Sequence, residues 1–78
     1  MEYLISFESF TMAMAGESAL KNSKTIPTPP AVDKSCGLSI IFNGEINDLL
    51  EEINNKSVKY KKIYKVLVNN DGKSYLEM

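Results

Sequence analysis

The chain reads as a small α+β domain, a two-layer sandwich with two helices on one face of a sheet. Three observations carry that reading. Short β-branched and aromatic runs alternate with stretches of helical periodicity, in the order β-α-(β)-loop-β-α-β. Each helical stretch carries one apolar stripe, and a stripe of that kind needs a second layer to bury it. The whole is 78 residues long, room for one domain with a core over about residues 3–68 and a hairpin strand over 69–78. Two helices on the same face of a small mixed or antiparallel sheet is the ferredoxin-like arrangement.

The elements follow in order. Tyr3-Leu4-Ile5-Ser6-Phe7 is a short β-branched and aromatic strand. Ser9 or Thr11 can cap a helix that runs to about Asn22, with Met12, Ala15, Gly16, Ala19 and Leu20 as its buried stripe. Gly16 costs that helix about 1 kcal/mol relative to alanine, which close packing on a sheet would explain. Ser23 to Ile26 is a very short second strand, and Pro27 to Lys34, with three prolines, is a loop. Leu38 to Phe42 is the next strand. Asn43 or Gly44 then caps a helix from Glu45 to about Asn54, where Ile46, Leu49, Leu50 and Ile53 make an i, i+3, i+4, i+7 stripe. Tyr60 to Val68 is a strand with Tyr64, Val66 and Val68 on one face. Asn70-Asp71-Gly72 turns the chain back into an edge strand over Ser74 to Leu76.

Composition excludes several classes of function. The charges nearly cancel at net −1, so nothing supports a nucleic-acid binder driven by counterion release. Lys59, Lys61, Lys62 and Lys65 alternate with Tyr60, Ile63 and Tyr64 and read as the solvated face of a strand. Apolar runs such as Ile40-Ile41-Phe42 are far too short to span a bilayer, and no targeting segment is evident. A phosphate-binding loop and a dinucleotide fingerprint are missing, so no cofactor is expected. With no histidine and one cysteine, neither Cys-His catalysis nor a zinc site is expected within this chain. A self-sufficient enzyme is therefore the least supported reading. A lone thiol points to a reducing, cytoplasmic setting, and so small a core makes self-association into a homodimer unsurprising.

That thiol, Cys36, is the residue with chemistry to offer. It lies in Ser35-Cys36-Gly37, downstream of Pro27-Thr28-Pro29-Pro30. Gly37 removes a side chain that would crowd an approaching reagent, and Ser35 offers a hydroxyl to a thiolate or bound anion. Backbone N–H groups of Gly37 and Leu38 would point outward if the strand began only after them. Lys34 has the sign that favours a thiolate; Glu17, were it near, would oppose one. Residues alone leave open a packing role, a redox-sensing role and a carrier role for Cys36.

The run Leu4-Ile5-Ser6-Phe7, the helix with Ala13 and Glu17, Ile26-Pro27-Thr28-Pro29 and Ser35-Cys36-Gly37-Leu38-Ser39-Ile40 together resemble the selenium/sulfur carrier-like family of small bacterial and archaeal proteins. The segment Tyr60 to Val66 resembles the family's closing strand. Pro-Thr-Pro followed by Ser-Cys-Gly is the specific part of the match. The resemblance implies that Cys36 carries sulfur or selenium as a persulfide or selenopersulfide between a donor and an acceptor enzyme, supported by Ser35, Gly37, Pro27, Thr28, Pro29 and Lys34. The chain departs from the pattern in two places. Pro30 stands where the family usually has a basic residue, and Leu20 to Ile26 is a few residues short, which implies a vestigial second strand. The rival reading is a small interaction or regulatory module with a structural cysteine, docking partners through Tyr64 to Val68 or an exposed sheet edge.

Overall fold

Strand alternation and two helical stripes leave few ways to bury the apolar residues, and the chain adopts one of them. The computed structural model describes residues 1–32 and 37–78. In chain order they form β1 (Glu2–Ser6), α1 (Phe10–Ala19), β2 (Ser23–Pro27), β3 (Leu38–Asn43), α2 (Ile46–Asn55), β4 (Lys62–Asn69) and β5 (Gly72–Glu77). The strands make a sheet in the order β2-β3-β1-β4-β5, every neighbouring pair antiparallel. With both helices on one face, this is the expected α+β, ferredoxin-like sandwich, extended at one side by β5.

Register decides which residues meet. Tyr3 pairs with Phe42 and Ile5 with both Ile40 and Ile63, so these five side chains share one face. They form one core cluster with Phe7, with Ala13 of α1 and Leu20 at its C-terminal cap, and with Leu49 and Ile53 of α2. The opposite face holds a second, thinner patch. Leu4 is fully buried there between Ile41 and Tyr64, its neighbours across the sheet, and Ser6, Ser39 and Val66 are buried on the same side.

Several local expectations change. Ser9, not Thr11, caps α1: its side chain accepts a hydrogen bond from the Met12 N–H at 3.1 Å. The helix stops at Ala19 rather than Asn22, because Asn22 adopts a left-handed φ of 56° and the Ser23 hydroxyl donates to the Leu20 carbonyl at 2.8 Å. Its buried face is Ala13, Gly16 and Leu20. Met12 and Ala15, expected in the stripe, are exposed instead and line a groove with Val58. Gly16 does lie tight on the sheet; a Cβ there would stand 2.7 Å from Cζ of Phe7 and 3.1 Å from Cδ1 of Ile40.

Neither Asn43 nor Gly44 caps α2. Asn43 completes β3, and Glu45 occupies the cap without a side-chain hydrogen bond. Gly44 instead passes under the Phe42 ring, where a Cβ would lie 2.9 Å from a ring carbon. In α2, Leu49 and Ile53 are buried and Ile46 packs on the core, while Leu50 remains exposed. The second strand is not vestigial: β2 pairs with β3 over its full length, from Ser23↔Phe42 to Pro27↔Leu38. Pro27 thus belongs to the strand rather than to the loop, tolerated because β2 is an edge.

The lysine cluster does not share a face. Lys59 and Lys61 precede β4, and alternation sends Lys62 and Lys65 to opposite sides of the sheet. Tyr64, Val66 and Val68 do share one, half-buried, buried and exposed in turn as the strand runs out past the layer. The β4–β5 turn is built as its residues suggest. Asn69 accepts the Asp71 N–H on its side-chain oxygen at 3.0 Å, and Gly72 takes φ +126°.

Candidate functional site

The candidate thiol, Cys36, and two of its expected supports, Lys34 and Ser35, lie outside the described residues. What the structure describes is the ground on either side of them. Pro27 ends β2 directly opposite Leu38, the first residue of β3. One step further out, the Thr28 N–H donates to the Gly37 carbonyl at 3.0 Å. The Thr28 hydroxyl is 2.7 Å from that of Ser39, and the two share a hydrogen bond. Backbone and side chain of a single threonine therefore clamp the two strands where the loop departs.

On the departing side the Val32 N–H donates to the Pro29 carbonyl at 2.9 Å, closing a tight turn. Pro30 falls at the second position of that turn, where a proline's preset φ is favoured. On the returning side Gly37 takes φ +134°, a left-handed conformation that a side chain strains, and among the described residues no atom lies within 4 Å of where its Cβ would stand. The expectation of outward amide donors at both Gly37 and Leu38 assumed a strand that begins after them. β3 already begins at Leu38, which packs against the core, so only Gly37 stands outside it.

Two hydroxyl residues escaped the sequence reading. Ser39 is fully buried in the middle of an apolar strand, and its partner is Thr28. Its only signal was parity: it alternates with Leu38 and Ile40, so it must face away from the helices. Thr25 is the other. Its N–H donates to a Glu17 carboxylate oxygen at 2.8 Å and its hydroxyl bonds the same oxygen, tying α1 to β2. Glu17 itself is half-buried and engaged. The Thr25 hydroxyl, and then its amide, hold Glu17 below the usual glutamate range by stabilising the charged form.

That shift has a sign. A carboxylate with a lowered folded-state pKa contributes stability above its unfolded value and loses it as pH falls through the folded value. Glu17→Gln should therefore lower stability at neutral pH and leave it little changed in acid, where the wild-type group is protonated. Urea melts at pH 7 and in acid check this. An equal loss at both pH values would mean that the charge is irrelevant.

Among the described residues no group of His, Cys, Asp and Glu is placed to hold a metal ion, and no helix is long and apolar enough to cross a membrane. Ser6 and Ser39, the buried polar residues on the outer face, are both satisfied; Ser6 exchanges hydrogen bonds with the Lys62 backbone.

The clamped strands and the segment between them lie inside a match to a known family. A family model described as "Putative Se/S carrier protein-like" covers residues 2–65, four of the five strands in whole or part and both helices. The chain belongs to this family. The carrier-like family match thus spans β1 to the first half of β4, the Pro27-Thr28-Pro29 run and Ser35-Cys36-Gly37, while β5 lies beyond it. Searches of curated proteins and of solved structures found no match.

Proposed function

We propose that the protein carries sulfur or selenium on Cys36. The observation that carries the reading is the family match over residues 2–65, which encloses the chain's single cysteine. The local setting supports it: Thr28 clamps the ends of β2 and β3, and the residue after the thiol is a glycine with a left-handed φ of +134°. A carrier needs a nucleophilic thiolate and access, not an acid–base pair of its own, and the chain has no histidine.

The transfer balances without a further reagent. The Cys36 thiolate attacks the terminal sulfur of a persulfide on a donor enzyme, forming a Cys36–S–SH persulfide. The donor cysteine leaves as a thiolate, and the proton stays on the transferred sulfur. An acceptor enzyme's nucleophile then takes the outer sulfur, and Cys36 leaves as a thiolate. Selenium would move by the same exchange from a selenopersulfide. The chemistry requires a reducing compartment, as in the cytoplasm.

The test is uptake. Incubation with a cysteine desulfurase and isotopically labelled cysteine should add one sulfur to the wild-type chain by intact mass. The Cys36→Ser variant should take none. An unmodified wild type under conditions that load a known acceptor would end the carrier reading. Fast alkylation of Cys36 in the native protein is expected alongside uptake; protection until unfolding would favour a structural cysteine.

A further inference from the structure

β5 stands at one end of the sheet of described strands. Met78 donates its N–H to the Ile63 carbonyl at 3.0 Å. In an antiparallel ladder that bond fixes the alternation: Leu76, Ser74 and Gly72 turn their backbone groups towards β4. Lys73, Tyr75 and Glu77 therefore turn theirs outward, to the side on which none of the described strands lies. Their side chains share the sheet face opposite the helices.

We propose that the protein forms a two-fold dimer through antiparallel β5–β5 pairing centred on Tyr75. That axis sets Tyr75 against its own copy and Lys73 against Glu77 of the second chain, twice. Each of the three outward residues meets another with its hydrogen-bonding groups aligned. The charges match only in this register. Moving the axis one residue back, to Ser74, would place Glu77 opposite Asp71 of the second chain, a like-charge pair.

Neighbouring charges extend the match. Lys73 already lies 3.6 Å from Glu2, and Glu77 lies 3.2 Å from Lys62. Pairing would join these into rows that alternate in sign across the junction, Glu2, Lys73, Glu77, Lys62. On the helix side, Leu76 is 57% exposed within one chain. Pairing puts it opposite Ser74 of the second chain and diagonal to the other Leu76, within side-chain reach. The result is a continuous ten-stranded sheet, and the inference does not depend on the chemistry of Cys36.

Sedimentation equilibrium over a concentration series reaching about 1 mM, where even a weak pair is populated, tests this. The wild type should show a monomer–dimer equilibrium. K73E and E77K each create two like-charge oppositions and should weaken it about tenfold or more, with circular dichroism unchanged. The double variant K73E/E77K should dimerise again, and so should an equimolar mixture of the two single variants. Tyr75→Pro removes an outward donor at an edge, where proline is tolerated, and should give a folded monomer. A wild type that stays monomeric throughout, or a dimer indifferent to the charge pattern, overturns the proposal.

Discussion

Phe42→Ala is expected to leave the chain largely unfolded at 25 °C. Phe42 is 2% exposed, pairs with Tyr3 on one side and Ser23 on the other, and its ring covers Gly44 at the turn into α2. Truncating a buried phenylalanine costs about 3–5 kcal/mol through lost burial and the cavity left behind. A domain of this size has roughly 3–5 kcal/mol in total, so the loss meets the whole reserve. Phe42→Leu, which keeps most of the volume, should cost less than about 1.5 kcal/mol. Val68→Ala, at a 73% exposed site, should stay within about 0.5 kcal/mol. Far-UV circular dichroism with urea titration ranks the three. A folded Phe42→Ala chain with a near-wild-type midpoint would mean that the core does not close around this ring.

The second large effect is expected at Gly16, where two influences oppose each other. Helix propensity alone makes Gly16→Ala stabilising by about 1 kcal/mol. Packing argues the other way, since the new Cβ would stand 2.7 Å from the Phe7 ring and 3.1 Å from Ile40. Phe7 and Ile40 are both buried, so the ring has little room to retreat. Overpacking of that kind costs about 1–3 kcal/mol, enough to reverse the propensity gain. Gly16→Ala should therefore be neutral or destabilising, and Gly16→Val should lose about 2–3 kcal/mol or more. Shortening the obstacle should separate the terms: in a Phe7→Leu background, Gly16→Ala should become stabilising. Denaturation midpoints of the four chains make the cycle. A simple gain of about 1 kcal/mol from Gly16→Ala in the wild type would refute the tight-packing account.

The two helices show why one part of the fold was legible and another was not. In α2 the large apolar side chains Ile46, Leu49 and Ile53 stand apart from Asn47, Glu51 and Glu52, so spacing alone identifies the inward face. α1 has no such contrast. Alanine, methionine and glycine surround it almost evenly, and several faces could have been buried. Phe7 and Ile40 chose the face of Ala13, Gly16 and Leu20, because only there could the helix approach a sheet carrying two large side chains. Leu50 likewise satisfied the helical period but sits past the edge of the layer it was expected to join.

The candidate site divides along the same line. A single cysteine between a proline-rich loop and a glycine can be read directly, because it follows from which residues are present and next to which. The clamp at Thr28 and Ser39 and the tie between Glu17 and Thr25 could not be read that way. Each joins residues of different elements, and the partner is set by strand register and helix placement rather than by spacing. The outward edge of β5 is of the same kind. Lys73, Tyr75 and Glu77 are an ordinary alternating run until pairing with β4 commits the other residues' backbone groups inward.

Local chemistry thus sufficed for the element order, the α+β class, the family and the presence of a single cysteine, Cys36, between a proline-rich run and a glycine. Those depend on residue type, period and turn residues, all of which act over a few neighbours. Which face of α1 is buried, how Thr28 joins the ends of β2 and β3, and which backbone groups of β5 face away from β4 were settled by packing. They depend on contacts between residues distant in the chain, and no single segment holds that information.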